Sequence, residues 1–267
     1  MNLNGGIMFK FVSQKIKDLW PLSKSLPSDD ELREMIKAKG LNHIAFIPDG
    51  NRRWAKGNGL TATDGHREGF VEATPRVCMR LWKLGVHTVT IWGSSIANLT
   101  REKEEVENFF TYCELLLQKM LPIAHTQGIK IIHLGRKDLM PDSTRMLMEK
   151  AEKETITYSN NVLNLAINFS GRDDIVRACK RLCEKGVGLE SITEDMISQT
   201  LDTASQSFPE PDLIVRTAGE YRLSGFMMWQ SLYAEFFYTH KNFPEIDNSV
   251  LAQAIVDFGH RQRTFSK

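Results

Sequence analysis

The sequence lacks an excess of charge of either sign. Lys+Arg number 34 and Asp+Glu 33, a formal net charge of +1 over 267 residues. No global field therefore draws the chain to nucleic acid or to an anionic bilayer, and any anionic ligand must be met by local basic clusters. Cysteine is also scarce. Cys78, Cys113, Cys179 and Cys183 form no close CxxC pair and sit in helix-like stretches, which argues against zinc or disulfides and for buried free thiols in a reducing compartment. No apolar run is long enough to cross a bilayer and no secretory leader is visible, so the expected location is cytoplasmic. Two glycine patterns are missing, GxxxxGK[ST] and a GxGxxG following a strand; their absence argues against P-loop nucleotide hydrolases and dinucleotide-binding enzymes. There is no internal repeat and no low-complexity tract.

What remains is an ordinary globular composition, 42% hydrophobic and 25% charged, with ample chain for a large core. Apolar, β-rich runs alternate with longer stretches of helical period. The strand candidates are His43–Pro48, Thr88–Gly93, Ile129–Leu134, Val162–Phe169, Leu213–Thr217 and Glu235–Thr239. Their continuous apolar character suits strands covered on both faces. Phe70, Ala73, Val77, Leu81 and Leu84 keep helical spacing, with Pro75 expected to kink that helix or start a new one. Val106, Phe109, Phe110, Cys113, Leu117 and Met120 do the same. The alternation predicts a single α/β domain built on a mainly parallel six-stranded sheet flanked by helices, over residues 41–267. Residues 1–40 read as an N-terminal arm. Within it, Ile7 to Trp20 mixes Phe9, Phe11, Val12, Ile16, Leu19 and Trp20 with lysines; a helix resting on lipid and a docking or lid helix are both open readings, the first giving peripheral membrane association.

Parallel sheets bind ligands beyond the carboxyl ends of their strands, so the residues after each strand carry the most information. The first strand runs into Asp49-Gly50-Asn51-Arg52-Arg53-Trp54. Gly50 lets backbone amides approach a ligand, a strand-to-helix junction forms an anion site, and Arg53 offers a planar fork to phosphate. Asp49 is a hard oxygen ligand of the kind magnesium shares with substrate phosphates. Gly65-His66 follows a polar loop and is expected to open a helix, leaving His66 open between a structural and a functional role. After the second strand come Ser94, Ser95, Asn98, Thr100 and Arg101, readable either as phosphate contacts or as a helix start capped by Thr100. After the fourth, Ser170 or Asp173 caps a helix, and Asp173 and Asp174 suit its first turn better than a metal. After the fifth, Arg216, Thr217, Gly219, Arg222 and Ser224 form a second anion site. Glu235, near the last strand, offers another carboxylate. Two phosphate sites and a magnesium carboxylate point to a reaction between two phosphorylated substrates.

The order and spacing of five segments, HIAFIPDGNRRWA, GH, SxxxN followed by Arg101, NFSGRDDI and DLIVRTAGEYRLSGFMMWQSLYAEF, resemble the cis-prenyltransferase (undecaprenyl diphosphate synthase) family from about His43 to Phe265. The resemblance implies a Mg²⁺-dependent enzyme that joins an allylic diphosphate to isopentenyl diphosphate, usually as a homodimer, with a hydrophobic cleft for the prenyl chain. It implies a metal and catalytic role for Asp49 and an allylic-diphosphate loop of Gly50, Asn51, Arg52, Arg53 and Trp54. It gives His66 a part in diphosphate departure, Asn98 a part in proton removal, and Ser95 and Arg101 substrate contacts. Arg216, Arg222 and Ser224 fall on the isopentenyl-diphosphate clamp and Glu235 on the second metal carboxylate.

Departures from the family pattern fall at Ala62, where an arginine is usual, at Ala97 and Leu99, where a glutamate and an aromatic are usual, and at Tyr221, often histidine. Because they cluster near the donor and the proton-removal segment, irregular head-to-middle coupling of two allylic diphosphates stands beside ordinary elongation. A non-catalytic partner subunit is the reading from another class; retention of Asp49, Arg53, Arg216, Arg222 and Glu235 opposes it. Bulk from Phe109, Phe110, Met79 and Trp82 leads to an expectation of short products.

Overall fold

The computed structural model describes residues 26–263; the Ile7–Trp20 segment lies outside them. Six parallel strands, β1 (His43–Ile47), β2 (Thr88–Trp92), β3 (Ile129–Leu134), β4 (Asn161–Ala166), β5 (Leu213–Arg216) and β6 (Glu235–Tyr238), form one sheet in the order β3-β4-β2-β1-β5-β6. Every expected strand is present, and most end one to three residues early. At β4 the chain leaves the ladder after Ala166, and Asn168 takes φ 51°.

Helix α1 (Asp29–Lys39) precedes β1. Its Ser28 cap and Glu31 satisfy each other's backbone amides, and Gly40 closes it with φ 64°. Leu32 and Ile36 of α1 lie in the main core, so the expected boundary at residue 40 has no counterpart: α1 belongs to the domain. Between β1 and β2 run α2 (Asn51–Gly57), α3 (Ala62–Arg67), a wide π-helical turn over Glu68–Ala73, and α4 (Thr74–Leu84). Pro75 sits in the first turn of α4, where a missing N–H costs least. A new helix thus starts beside Pro75, one of the two expected outcomes, and the π turn just before it has Thr74 Oγ1 donating to the Gly69 carbonyl at 3.3 Å.

Beyond β2, a 3₁₀ turn over Ile96–Thr100 leads to the long α5 (Lys103–Gln127). Helices α6 (Asp142–Thr155), α7 (Gly171–Glu184), α8 (Glu194–Ser198) and α9 (Asn248–His260) complete the layers. Ile44, Phe46, Val89, Ile91, Leu163 and Val215 point into the larger core, shared with α1, α4, α5, α6 and α9. The smaller core on the other face holds Ala45, Ile47, Ala166 and Ile214 beneath Phe226 and Met227.

Cys78 and Cys113 are buried free thiols, pushed well above the usual thiol range by burial. Cys179 is half-buried and Cys183 exposed, correcting the expectation of burial for all four: both lie on α7, whose outer face meets solvent. Among the described residues no helix is long and apolar enough to cross a membrane.

Candidate active site

The carboxyl end of β1 delivers Asp49 to the rim of the sheet. Its backbone is fixed on both sides: its N–H donates to Thr217 Oγ1 at 2.7 Å, and its carbonyl accepts from that hydroxyl at 2.7 Å and from the Phe243 N–H at 3.0 Å. The carboxylate accepts from Gly50 N–H (2.9 Å) and from Arg216 Nη2 (3.1 Å). Gly50 turns the chain with φ 91°; a Cβ there would lie 2.2 Å from Asn242 Oδ1 and 2.8 Å from Ala218 Cβ, so only glycine fits. Gly65 is needed for the same reason, since a Cβ there would press on the Asn51 carbonyl at 2.3 Å.

Arg216, at the end of β5, is only 3% exposed. One Nη reaches Asp49, and the other donates to Ser224 Oγ at 2.9 Å and to the Arg222 carbonyl. A buried charge needs such a set of partners. The loop supplying them is strained, with positive φ at Ala218 (65°) and Ser224 (53°), a cost of roughly 1–3 kcal/mol each that is typical of functional loops. Arg222 pairs with Glu220, which also lies 3.6 Å from Arg53; Arg53 Nη1 donates to the Ala218 carbonyl at 2.8 Å.

On the opposite wall, Arg52 Nε donates to His66 Nε2 at 3.2 Å and its guanidinium pairs with Glu105. Glu105 also takes Arg101 Nη1 at 2.7 Å. Burial and then the Arg52 charge hold His66 below the usual imidazole pKa, so at neutral pH it is the uncharged acceptor that this hydrogen bond requires. Burial acts to raise Glu105, but the two guanidinium groups outweigh it and hold the carboxyl below its usual range. Ser95 and Asn98 close the 3₁₀ turn: Asn98 Oδ1 accepts from Ser95 N–H (2.8 Å) and Ser95 Oγ (3.1 Å), which leaves Asn98 Nδ2 as its donor to a ligand.

These residues surround one cavity of about 590 Å³, lined among others by Asp49, Gly50, Asn51, Arg52, Arg53, His66, Ser95, Asn98, Arg101, Arg216, Arg222 and Ser224. At His66, Gly93, Ser94, Asn98 and Arg101 it adjoins a second space of about 70 Å³ lined by Leu99, Val106, Phe109 and Tyr112. Phe109 packs on Phe70 and Phe110, with ring centroids 5.5 and 5.6 Å apart. Phe110 and Trp82 are buried in the main core, and Met79 packs against it, so of the four residues expected to limit the cleft only Phe109 lines it.

Two of the expected site residues stay outside. Trp54 is half-buried and lines neither space. Glu235 lies at the start of β6, in register with Leu213 and Ile44, while Asp49 lies past the end of β1. At about 3.3 Å per residue, the five residues from Ile44 to Asp49 put them at opposite ends of the sheet. Glu235 pairs there with Arg261 at 2.6 Å. Within one chain, the register therefore sets Glu235 apart from Asp49. Gly65 and His66 end helix α3 rather than open it, Thr61 being its cap. Thr100 donates to the Ala97 carbonyl at 2.9 Å and does not cap α5. The Asp173–Asp174 pair is structural, tied to Arg136, Arg177 and Gln230.

Glu105 and Glu220 were not singled out as working residues in the sequence. A glutamate in a charged helix turn reads as solvated surface, and only the fold brings two arginines to it.

Magnesium usually binds through one or two carboxylates together with substrate phosphates. Asp49, 39% exposed beside the arginines, fits such a shared site; among the described residues no group of three acidic, histidine or cysteine ligands forms a site of its own.

A family model described as "Putative undecaprenyl diphosphate synthase" matches residues 47–266. The isoprenyl transferase of Bacillus thuringiensis subsp. konkukian is 38% identical over 244 residues, 89% of this chain and 93% of that protein. Dehydrodolichyl diphosphate synthase 1 of Arabidopsis thaliana is 34% identical over 247 residues, 88% of this chain and 81% of that protein. Among solved structures, lavandulyl diphosphate synthase from Lavandula x intermedia in complex with dimethylallyl diphosphate superposes with TM-score 0.80 at 34% identity, covering 85% of this chain and 98% of that one.

Proposed function

Since the chain belongs to the undecaprenyl diphosphate synthase family of cis-prenyltransferases, we propose that it condenses a short allylic diphosphate with a second five-carbon diphosphate, with Mg²⁺ bound at Asp49, to give a short prenyl diphosphate. The observation that carries this reading is the single cavity with two arginine groups on either side of Asp49, closing into a small apolar space. That space is small and is bounded by Phe109 packed on Phe70, which favours a donor of few carbons.

The donor diphosphate lies against Arg52, Arg53, Arg101 and neutral His66, with its hydrocarbon directed to Leu99, Val106 and Phe109. The acceptor diphosphate takes Arg216, Arg222 and Ser224. The donor carbon–oxygen bond breaks, its electron pair leaves with the diphosphate, the freed carbon bonds to the acceptor double bond, and the acceptor loses a proton. Negative charge grows on the leaving group, and preorganised arginines stabilise it there. Magnesium, when bound, adds further neutralisation of that charge. Asn98 contributes as a donor through Nδ2, because its amide is no base and its Oδ1 is engaged by Ser95.

A second reading replaces isopentenyl diphosphate by a second allylic diphosphate, giving a branched product. It is supported by the likeness to the lavender enzyme crystallised with dimethylallyl diphosphate and by Leu99, where the family usually has an aromatic, on the wall of the small apolar space; Ala62 and Ala97 are exposed and line neither space. Purified protein with magnesium is incubated with dimethylallyl diphosphate alone, with isopentenyl diphosphate, and with a longer allylic partner, and the products are identified by mass spectrometry. A coupled product from dimethylallyl diphosphate alone selects the second reading; short linear cis products that require isopentenyl diphosphate select the first. No coupled product in any arm contradicts both.

A further inference from the structure

Every arginine lining the cavity is already paired with a carboxylate. Asp49 holds Arg216, Glu220 holds Arg222 and lies near Arg53, and Glu105 holds both Arg52 and Arg101. In the last group both guanidinium ions donate to the same oxygen, Glu105 Oε1. Arg52 comes from α2 and Arg101 from the turn before α5, so one carboxylate oxygen gathers two cations from separate elements, beside His66. Glu105 also lines the small apolar space, as Arg101 does.

We propose that Glu105 is a built-in counter-anion for the Arg52–Arg101 subsite: it occupies the donors that a diphosphate needs, is displaced when the diphosphate enters, and returns as pyrophosphate leaves. This rests on the reading of the cavity as a diphosphate site. Arg52 and Arg101 are about half exposed, and ion pairs that exposed are individually weak. A diphosphate, with more charge and more oxygens, therefore outcompetes the glutamate. The cost of freeing the arginines still appears in the apparent affinity, because only the fraction of protein with free arginines binds. Such a competitor serves turnover, since the arginines gathered around the departing pyrophosphate would otherwise hold it too long. The opposing view makes Glu105 a brace that holds the arginines in position for the ligand, and it predicts the reverse sign on removal.

The test is calorimetric binding of inorganic pyrophosphate to the full-length protein in magnesium-free buffer. Glu105→Gln, close in shape and uncharged, is expected to lower the dissociation constant by roughly three- to tenfold, in line with the modest strength of exposed pairs, and to slow pyrophosphate dissociation. Glu105→Asp, which keeps the charge but shortens the reach, is expected to fall between the two. Glu107→Gln, two positions along α5 and 64% exposed, controls for the mere loss of a negative charge and is expected to change nothing beyond about twofold. Unchanged or weaker binding in Glu105→Gln, or equal tightening in Glu107→Gln, overturns the proposal. Pyrophosphate binding to neither wild type nor variant overturns the diphosphate reading and this proposal together, whereas binding to wild type without tightening in the variant removes only the role of Glu105.

Discussion

Arg216 is the residue on which the cavity turns, a cation 97% removed from solvent and held between Asp49 and the strained Ser224 loop. Breaking a fully buried pair costs about 3–5 kcal/mol; Asp49 is partly exposed, so its loss costs less than that but more than an ordinary surface change. Asp49→Ala therefore mixes a loss of stability with any loss of turnover. Asp49→Asn, which preserves shape and the Gly50 hydrogen bond, is the better probe. It is expected to lower turnover by at least about 10²-fold with the fold retained, as checked by steady-state rate and circular dichroism; undiminished turnover would remove Asp49 from the chemistry. Arg222, exposed and paired with Glu220, separates the two substrates. Arg222→Ala is expected to raise the KM of the second substrate by about tenfold or more while barely moving that of the donor; Arg52→Ala should do the opposite, and equal effects on both would contradict two separate anion groups.

At the scale of elements, the proposed short product rests on the packing of the π turn against α5. Phe70 from the turn meets Phe109 from α5, and the Phe70 ring edge lies 3.0 Å from where a Cβ on Gly93 would stand, so the floor of the apolar space is solid. Phe109→Ala is expected to lengthen the main product by one or more isoprene units, at a stability cost of up to about 3 kcal/mol because the ring is only partly buried. Mass spectrometry of products and a thermal melt check it; unchanged length would place the floor elsewhere. The strands and the helical stretches through Leu81 and Cys113 were legible because period and apolarity are local properties. Phe109 and its neighbours Phe110 and Val106 were legible as one helix face for the same reason. Pro75 was legible as a break, but the π turn that absorbs it depends on Gly69 and the packing of α3. The place of Glu235 was not legible, because sequence spacing does not reveal which end of a parallel strand a residue occupies; only the register with Leu213 and Ile44 does. Glu105 was hidden because its partners lie on another element.

At the scale of the whole molecule, β6 is an edge strand. Phe236 and Tyr238 stack along it at 6.0 Å, and the exposed Leu232 (73%) and Tyr221 (63%) lie in the adjoining segment. An apolar edge of this kind is a liability unless covered, and the homodimer implied by the family resemblance would cover it. Sedimentation at micromolar concentration is expected to give a dimer, and Leu232→Glu to shift it toward monomer; a monomeric wild type would contradict this use of the edge.

A cavity that holds two diphosphates and couples them must release one diphosphate for every bond it makes. The most direct measurement is the ratio of pyrophosphate released to coupled product formed, with magnesium, dimethylallyl diphosphate and isopentenyl diphosphate supplied together. The account predicts one pyrophosphate for each new carbon–carbon bond, in a product of few isoprene units. Pyrophosphate released with only prenyl alcohol formed, or no release at all, would contradict it.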